Sequence, residues 1–595
     1  MKHIFDPYRL TKADQILLTA FLLPIFVLFF HGDIGGVGLD SLNYLFGKPL
    51  EFYENCLEIR GEGKHMLGTP YPPSIYIIFS LWILPFKLAG IIDSPHNFPI
   101  FLAYWLKILT NIVFVFSAVV FYKIALFYFP SKNHAKYAAA AWLFMPIALF
   151  SQLIFSQYDI FYVLLTMIGF LMFLKNRIVI ASLLFGIAIT FKYFPVFVFI
   201  PLLLLFEKNI LKIIGNFIIF SIPLFILELP YKDNAAYVLG VKNHASINKI
   251  YAAAMNIGCC DIYYIFLGFI IICGIAYFYD PKIEVKIKSA AYFWMVASIH
   301  PFLFIAWHPQ WTIFFIPPII LTTLIHTKYN RFFILDLFGM FCLIAIVALL
   351  FQRSFGTDMF FRGKHLGIDI GNSYAMGDIF DKFGERSGNI FLTGFWSYLL
   401  LQIIVKYKEL IHGNSISAFK INYNILRRNI YVGILIFLIP TIYALHQGTY
   451  SLTSNLSSGH HFNELTAERT FIQSFPAKDR YLRKVHLGLA TFARQNQGKL
   501  RIEIINSTGE SIVWQEKDLQ DIRDNSWLSI SFKPVELRTG ELYAIRISST
   551  DSRPGNAITW WASKSDTYPE GKALVDGAAQ DADFLFKVVF SQYRL

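Results

Sequence analysis

At 595 residues, 55% of them apolar and 17% aromatic but only 15% charged, the chain falls far from the roughly 25% charged residues of a soluble domain. That composition excludes a soluble globular enzyme and reads as a polytopic membrane protein. The net charge of +12 is then no nucleic-acid signal, because excess Lys and Arg in such proteins gathers in cytoplasmic loops.

Lys2, Arg9 and Lys12 precede a first apolar segment at 14–30. No small-residue cleavage site follows it, so it reads as an uncleaved anchor. The stretch 31–73 comes next and has no bilayer-length apolar run, so it is expected outside the hydrocarbon as the start of a first outer loop (31–99). Asp33 stands there among Gly32, Gly35, Gly36 and Gly38, and Asp40 follows at helical distance. Gly47-Lys48-Pro49 leads to Glu51, Tyr53 and Glu54, and Tyr71-Pro72-Pro73 opens the next apolar segment. A carboxylate held at a membrane surface by a glycine-rich loop is where chemistry is expected.

Further apolar segments fall near 74–91, 100–128, 137–155, 159–174, 178–191, 194–206, 211–229, 261–279, 289–307, 309–326, 332–351, 389–405 and 429–445. The connections at 131–136, 175–177, 207–212, 280–288, 326–331 and 406–428 are basic and should be cytoplasmic. Those at 151–159, 230–260, 307–310 and 353–388 should be outside. Parity is kept if 74–91 lies along the outer surface, which gives about thirteen crossings with the N-terminus inside and the C-terminus outside. Segments 178–191 and 194–206 fall short of the ~20 residues of a full span. They read as a helical hairpin with Lys192 at its tip. The five Cys, at 56, 259, 260, 273 and 342, have no metal spacing and read as small apolar residues.

From 447 the pattern changes to alternation at period two, in LRIEII (500–505), WLSISF (527–532), LYAIRIS (542–548), AITWWAS (557–563) and FLFKVVF (584–590). Turn residues separate these runs, which predicts an all-β sandwich or jelly roll over 447–595 beside a membrane domain over 1–446. Trp560 and Trp561 are adjacent in one run. In a regular strand they must point to opposite faces, so one of them should be exposed or at an edge.

Three more constellations join Asp33 on the outer side: Ser156-Gln157-Tyr158-Asp159, the tip lysine Lys192, and His308-Pro309-Gln310-Trp311. Each has an ordinary structural reading, as a helix cap, a snorkelling lysine and a Pro-broken helix start with an interfacial Trp. Their convergence on one face, drawn from the basic loops alone, favours a site.

These residues resemble the GT-C superfamily of polyprenyl-phosphate-sugar glycosyltransferases, particularly bacterial mannosyltransferase-like members and the eukaryotic dolichol-linked glucosyl- and mannosyltransferases. The resemblance covers about residues 10–330. It rests on Asp33 early in the first outer loop, the Tyr71-Pro72-Pro73 restart, Ser156-Gln157-Tyr158-Asp159 with Ser for Gly, Lys192 in a short hairpin, and His308-Pro309-Gln310-Trp311 with Trp for Tyr. It implies a GT-C-like membrane fold and inverting transfer of a hexose, mannose or glucose, from a polyprenyl phosphate to a glycan or lipid-linked acceptor. Asp33 would be the base, with Asp40 its alternative, and Asp159 a second catalytic acid. Gln157, Lys192, His308, Gln310, Tyr71 and Arg362 would bind substrate and phosphate. No cofactor is required, though a divalent cation could assist; membrane lipids are partners and nucleic acid is not. The expected place is a bacterial inner membrane, with the site and the sandwich on the periplasmic face. An O-antigen-type polymerase or ligase is the enzymatic alternative, and a polysaccharide or lipid transporter the non-enzymatic one.

Overall fold

The computed structural model describes residues 32–61, 71–95, 98–129, 131–154, 158–243, 250–305, 307–350, 385–412, 421–447 and 450–591. They form two compact units that divide at Pro440 and Thr441. The apolar segment 14–30, Gln157 and Arg362 lie outside the described residues.

The helical unit begins with a correction. The glycine-rich stretch expected as a loop is helical, as α1 (Gly32–Phe46) and α2 (Phe52–Gly61) joined by a 3-10 turn at Pro49–Glu51. Ile34, Val37 and Leu42 are buried along α1. A Cβ at Gly38 would stand 2.4 Å from the Phe98 ring and 3.0 Å from Leu106. Close packing therefore explains this glycine, not backbone freedom. The next helix, α3 (Pro73–Leu88), packs along α1: Ser80 donates to the Ser41 carbonyl at 2.7 Å and Lys87 to the Leu45 carbonyl at 2.8 Å. The two helices therefore run in the same direction. The exposed side of α3 carries Leu81 and Leu88.

The long helix α4 (Ile100–Tyr128) follows, locked to α3 by reciprocal indole-to-carbonyl bonds between Trp82 and Trp105 at 2.9 and 2.7 Å. The single segment expected at 137–155 is broken. Helix α5 (Lys132–Leu143) stops before Pro146, which cannot continue a helix through its missing N–H, and a π-helical turn covers Phe150–Ile154. Then come α6 (Asp159–Leu174), α7 (Ile178–Ile189), α8 (Pro195–Phe206) and α9 (Ile210–Glu228). Helices α7 and α8 make a hairpin with Lys192 in its turn. Gly186 of α7 faces the Phe220 carbonyl of α9, where a Cβ would stand at 2.3 Å. Gly186→Ala should push the helices apart and cost about 1–3 kcal/mol, read as a lower unfolding temperature in detergent. An unchanged temperature would mean that α7 and α9 part freely.

A small hairpin of β1 (Ala254–Asn256) and β2 (Asp261–Tyr263) precedes α10 (Tyr264–Phe278) and α11 (Ile283–Ile299). The unit closes with α12 (Ile316–Ile325), α13 (Tyr329–Leu350), α14 (Glu385–His412) and α15 (Tyr423–Gln447). A buried polar network ties three of these together. Lys406 of α14 donates to the Ile319 carbonyl, Thr322 and Thr323, and Asp336 of α13 accepts from Tyr398 and Gln402 at 3.0 Å. Asp336 did not stand out in its apolar run, and Lys406, expected in the cytoplasmic connection 406–428, is instead buried within α14. Among the described residues four helices are long and apolar enough to cross a membrane, and further apolar helices are shorter. Pro146 and the turns around it cut the single segment expected at 137–155 into short helices.

The β unit is an antiparallel sandwich. One sheet has the order β13-β12-β5-β10-β7-β8, built from β5 (Thr470–Pro476), β7 (Lys499–Ile505), β8 (Ser511–Asp518), β10 (Leu542–Ser548), β12 (Ala573–Val575) and β13 (Ala578–Ala579). The other has the order β3-β14-β6-β11-β4 with β9 also paired to β6, built from β3 (Tyr450–Asn455), β4 (His460–His461), β6 (Tyr481–Ala490), β9 (Ser526–Glu536), β11 (Thr559–Ala562) and β14 (Phe586–Ser591). All five alternating runs are strands. Their inward residues meet in one core, where Phe471 of β5 stacks on Phe584 at 5.3 Å and Phe475 meets Phe590 of β14 at 5.9 Å. Trp560 is fully buried and stacks on Phe584 at 4.4 Å, while Trp561 is only partly covered, as their alternation requires.

Candidate active site

Asp159 opens α6 directly after a turn, almost fully buried. Tyr158, not Asp159, is the N-cap residue of this helix, and Asp159 stands in its first turn. The Asp159 carboxylate accepts a hydrogen bond from Lys192 Nζ at 2.6 Å. The side chains of this ion pair are 11% and 2% exposed for Lys192 and Asp159, which rules out a snorkelling lysine. Two charges taken this far from water need close geometry and neighbouring polarisable groups to persist.

Aromatic rings provide that surrounding. Lys192 Nζ lies 4.3 Å from the Trp311 ring centroid and 5.8 and 5.9 Å from those of Tyr158 and Tyr162, within the range of cation–π attraction. His308 meets Trp311 edge to face at 4.6 Å, and Tyr71 meets Tyr158 at 5.0 Å. The turn carrying Lys192 is fixed from outside by Ser74, which donates to Thr190 at 2.7 Å. The 3-10 turn Pro309–Phe314 is fixed from inside by the Ser151–Thr312 hydroxyl pair at 2.6 Å. Gln310 on that turn is 2% exposed, and its Oε1 accepts no hydrogen bond among the described residues.

Tyr71, Asp159, Lys192 and His308 therefore meet in one ring-lined site, with Gln310 buried on the same turn as Trp311. Asp40 is 2% exposed in α1. Asp33 occupies the first turn of α1, and its side chain lies outside the described residues. Its height is nonetheless set by the packing of α1 on α3. Counting back from the Ser41–Ser80 contact at about 1.5 Å per residue, position 33 comes level with the start of α3, where Ser74 binds the Lys192 turn.

A second cluster escaped the sequence reading. Glu228, at the end of α9, accepts from Tyr237 at 2.7 Å and pairs with Lys242 at 3.4 Å. Burial and this carboxylate push the Tyr193 hydroxyl up to about 12 and raise Tyr237 further. Tyr53 donates to the Tyr71 carbonyl at 2.8 Å and packs its ring against Tyr231 and Tyr237. The wall thus joins the neighbour of Lys192 to the chain around Tyr71. The signal for it was Tyr193 beside Lys192, and tyrosines dispersed over distant segments show no spacing.

Residues 70–225 match the model of Glycosyltransferase family 87. The matched segment holds Tyr71, Gln157, Asp159 and Lys192, and leaves out Asp33, Asp40, His308, Gln310 and Arg362. No curated protein matches the chain in sequence. Among solved structures the chain is similar to the cryo-EM structure of arabinosyltransferase EmbB from Mycobacterium smegmatis, with 9% identity and a TM-score of 0.28. That alignment covers 99% of this chain and 66% of EmbB, and at such a score it carries no argument.

Proposed function

We propose, from the premise that residues 70–225 make this chain a membrane glycosyltransferase of the GT-C type, that it moves a hexose from a polyprenyl phosphate to a glycan or lipid-linked acceptor, with inversion. The observation that carries the reading is the buried Lys192–Asp159 pair in its box of rings, inside the family-matched segment. In the reaction the acceptor hydroxyl gives its proton to the Asp33 carboxylate as its oxygen bonds the anomeric carbon. The bond from that carbon to the phosphate oxygen breaks, and the electron pair leaves with the phosphate.

Asp159 has a different duty in this scheme. It holds Lys192 charged in surroundings that would otherwise favour the neutral amine, so that the cation stands ready beneath the departing phosphate. His308, Gln310 and Arg362 complete the donor contacts, and Tyr71 with Gln157 orients the sugar. Charge developing on the phosphate is met by groups already in place, where low dielectric strengthens each contact. The working face is the outer one, and the membrane a bacterial inner membrane. The glycosyltransferase match sets the transporter reading aside.

The test is transfer by purified protein given labelled polyprenyl-phosphate mannose or glucose. Labelled sugar should pass to a membrane glycan or lipid fraction added as acceptor. Transfer from nucleotide sugars alone, with none from the prenyl donors, would overturn the donor assignment.

A further inference from the structure

Six non-glycine residues among those described hold a positive φ, and four of them surround one end of the sandwich: Asn463 at 65°, Phe492 and Ala493 at 57°, and Asn525 at 49°. Backbone in this region is unfavourable for side chains other than Gly, and it persists where the surroundings impose it, often at binding sites. Here the surroundings do impose it. Asp524 accepts from the Thr491 amide at 2.6 Å and from the Thr491 hydroxyl at 3.1 Å, and its other oxygen accepts from Asn525 at 2.9 Å. Arg494 lies over the Phe492 ring at 4.8 Å and is itself held by Glu464, which also accepts from the Gly555 amide.

What these loops present is a row of three rings. His461 of β4 lies directly across from Trp561 of β11 in the sheet. Its imidazole stands nearly perpendicular to Trp561, at 5.8 Å and 80°, and to Phe492, at 5.5 Å and 84°. The Asn463 amide donates to His461 Nδ1 at 3.2 Å, so the neutral ring carries its proton on Nε2. The indole N–H of Trp561 donates to Asn525 at 3.0 Å, which fixes the plane of that ring. Beside the row, Asn496 Oδ1 and Thr559 Oγ1 are buried with no hydrogen-bond partner among the described residues.

We propose that the Trp561–His461–Phe492 cluster is a glycan-binding site that takes a neutral sugar ring. The apolar C–H face of a pyranose matches an indole or phenyl face, and its hydroxyls match the His461 Nε2 donor and the Asn525 side chain. The charges nearby, Arg494 with Glu464 and Asp524 with the Thr491 loop, are already engaged with one another. The site therefore favours a neutral glycan over a polyanion. Holding the loop in strained backbone conformations lowers the entropy lost on binding. Binding here is independent of the transfer reaction and is measured without a donor.

The experiment uses the full chain in lipid nanodiscs, titrated with α-mannotriose, maltotriose and cellotriose by saturation-transfer-difference NMR. At least one trisaccharide should bind, and Trp561→Ala and Phe492→Ala should each weaken it by roughly tenfold, while Trp514→Ala on the exposed edge strand leaves it unchanged. Ala493→Gly separates a binding role from a structural one. Glycine accepts a positive φ freely, so the unfolding temperature should not fall, yet affinity should drop as the loop loses its fixed arrangement. No binding by any of the three sugars, or unaltered binding in both ring variants, overturns the proposal. So does full affinity in Ala493→Gly together with a Trp561→Ala loss that merely tracks unfolding.

Discussion

Lys192→Met should abolish transfer and lower the unfolding temperature, whereas Lys192→Met combined with Asp159→Asn should recover the temperature and remain inactive. The argument rests on the pair at 2.6 Å, almost closed to water. Removing the cation alone leaves Asp159 buried with its ion-pair partner gone, which typically costs about 3–5 kcal/mol. Replacing both charges by neutral groups of similar size is often close to neutral in stability. Activity follows a different rule. If Lys192 stabilises the departing phosphate, its loss should cost on the order of 10²–10³-fold in kcat, as for other preorganised groups aimed at developing charge, and neutralising Asp159 as well cannot restore it. Unfolding followed by tryptophan fluorescence, together with transfer assays, reads the two effects separately. A double variant that regains activity would show that the pair serves packing alone.

Asp33→Asn should lower transfer by roughly 10²–10⁴-fold, the usual share of a positioned general base, without moving the unfolding temperature. Asp40→Asn is expected to behave in the opposite way. Asp40 is 2% exposed in the packed face of α1, so its substitution should be felt in stability first. Stereochemistry of the product and kcat against KM complete the test, since a lost base lowers kcat and kcat/KM together. An active Asp33→Asn beside a dead but folded Asp40→Asn would reassign the base two helical turns along.

Composition and spacing were enough for the membrane class, the hairpin tipped by Lys192 and the strands of the C-terminal sandwich. These properties are written locally. An apolar run reports burial residue by residue, and a period of two reports a half-buried strand. They also sorted Trp560 from Trp561 into opposite faces, though not which of them the core would take. The core chose Trp560 because Phe584 stacks on it at 4.4 Å, a contact between residues far apart in the chain. The glycine-rich stretch misled for the same reason. Gly38 reads as a loop residue until Phe98 and Leu106 are packed against it; then the helix Gly32–Phe46 is the arrangement that buries Ile34, Val37 and Leu42.

The site followed the same division. Asp159, Lys192 and His308 could be singled out by residue type and position at segment ends, but their sequence order says nothing of who meets whom. Only the folded helices decided that Lys192 faces Asp159 and Trp311 and that Glu228 gathers Tyr193 and Tyr237. Such pairings depend on how helices pack at distances of a few ångströms, and side-chain contacts across that packing leave no periodic trace in either partner's sequence.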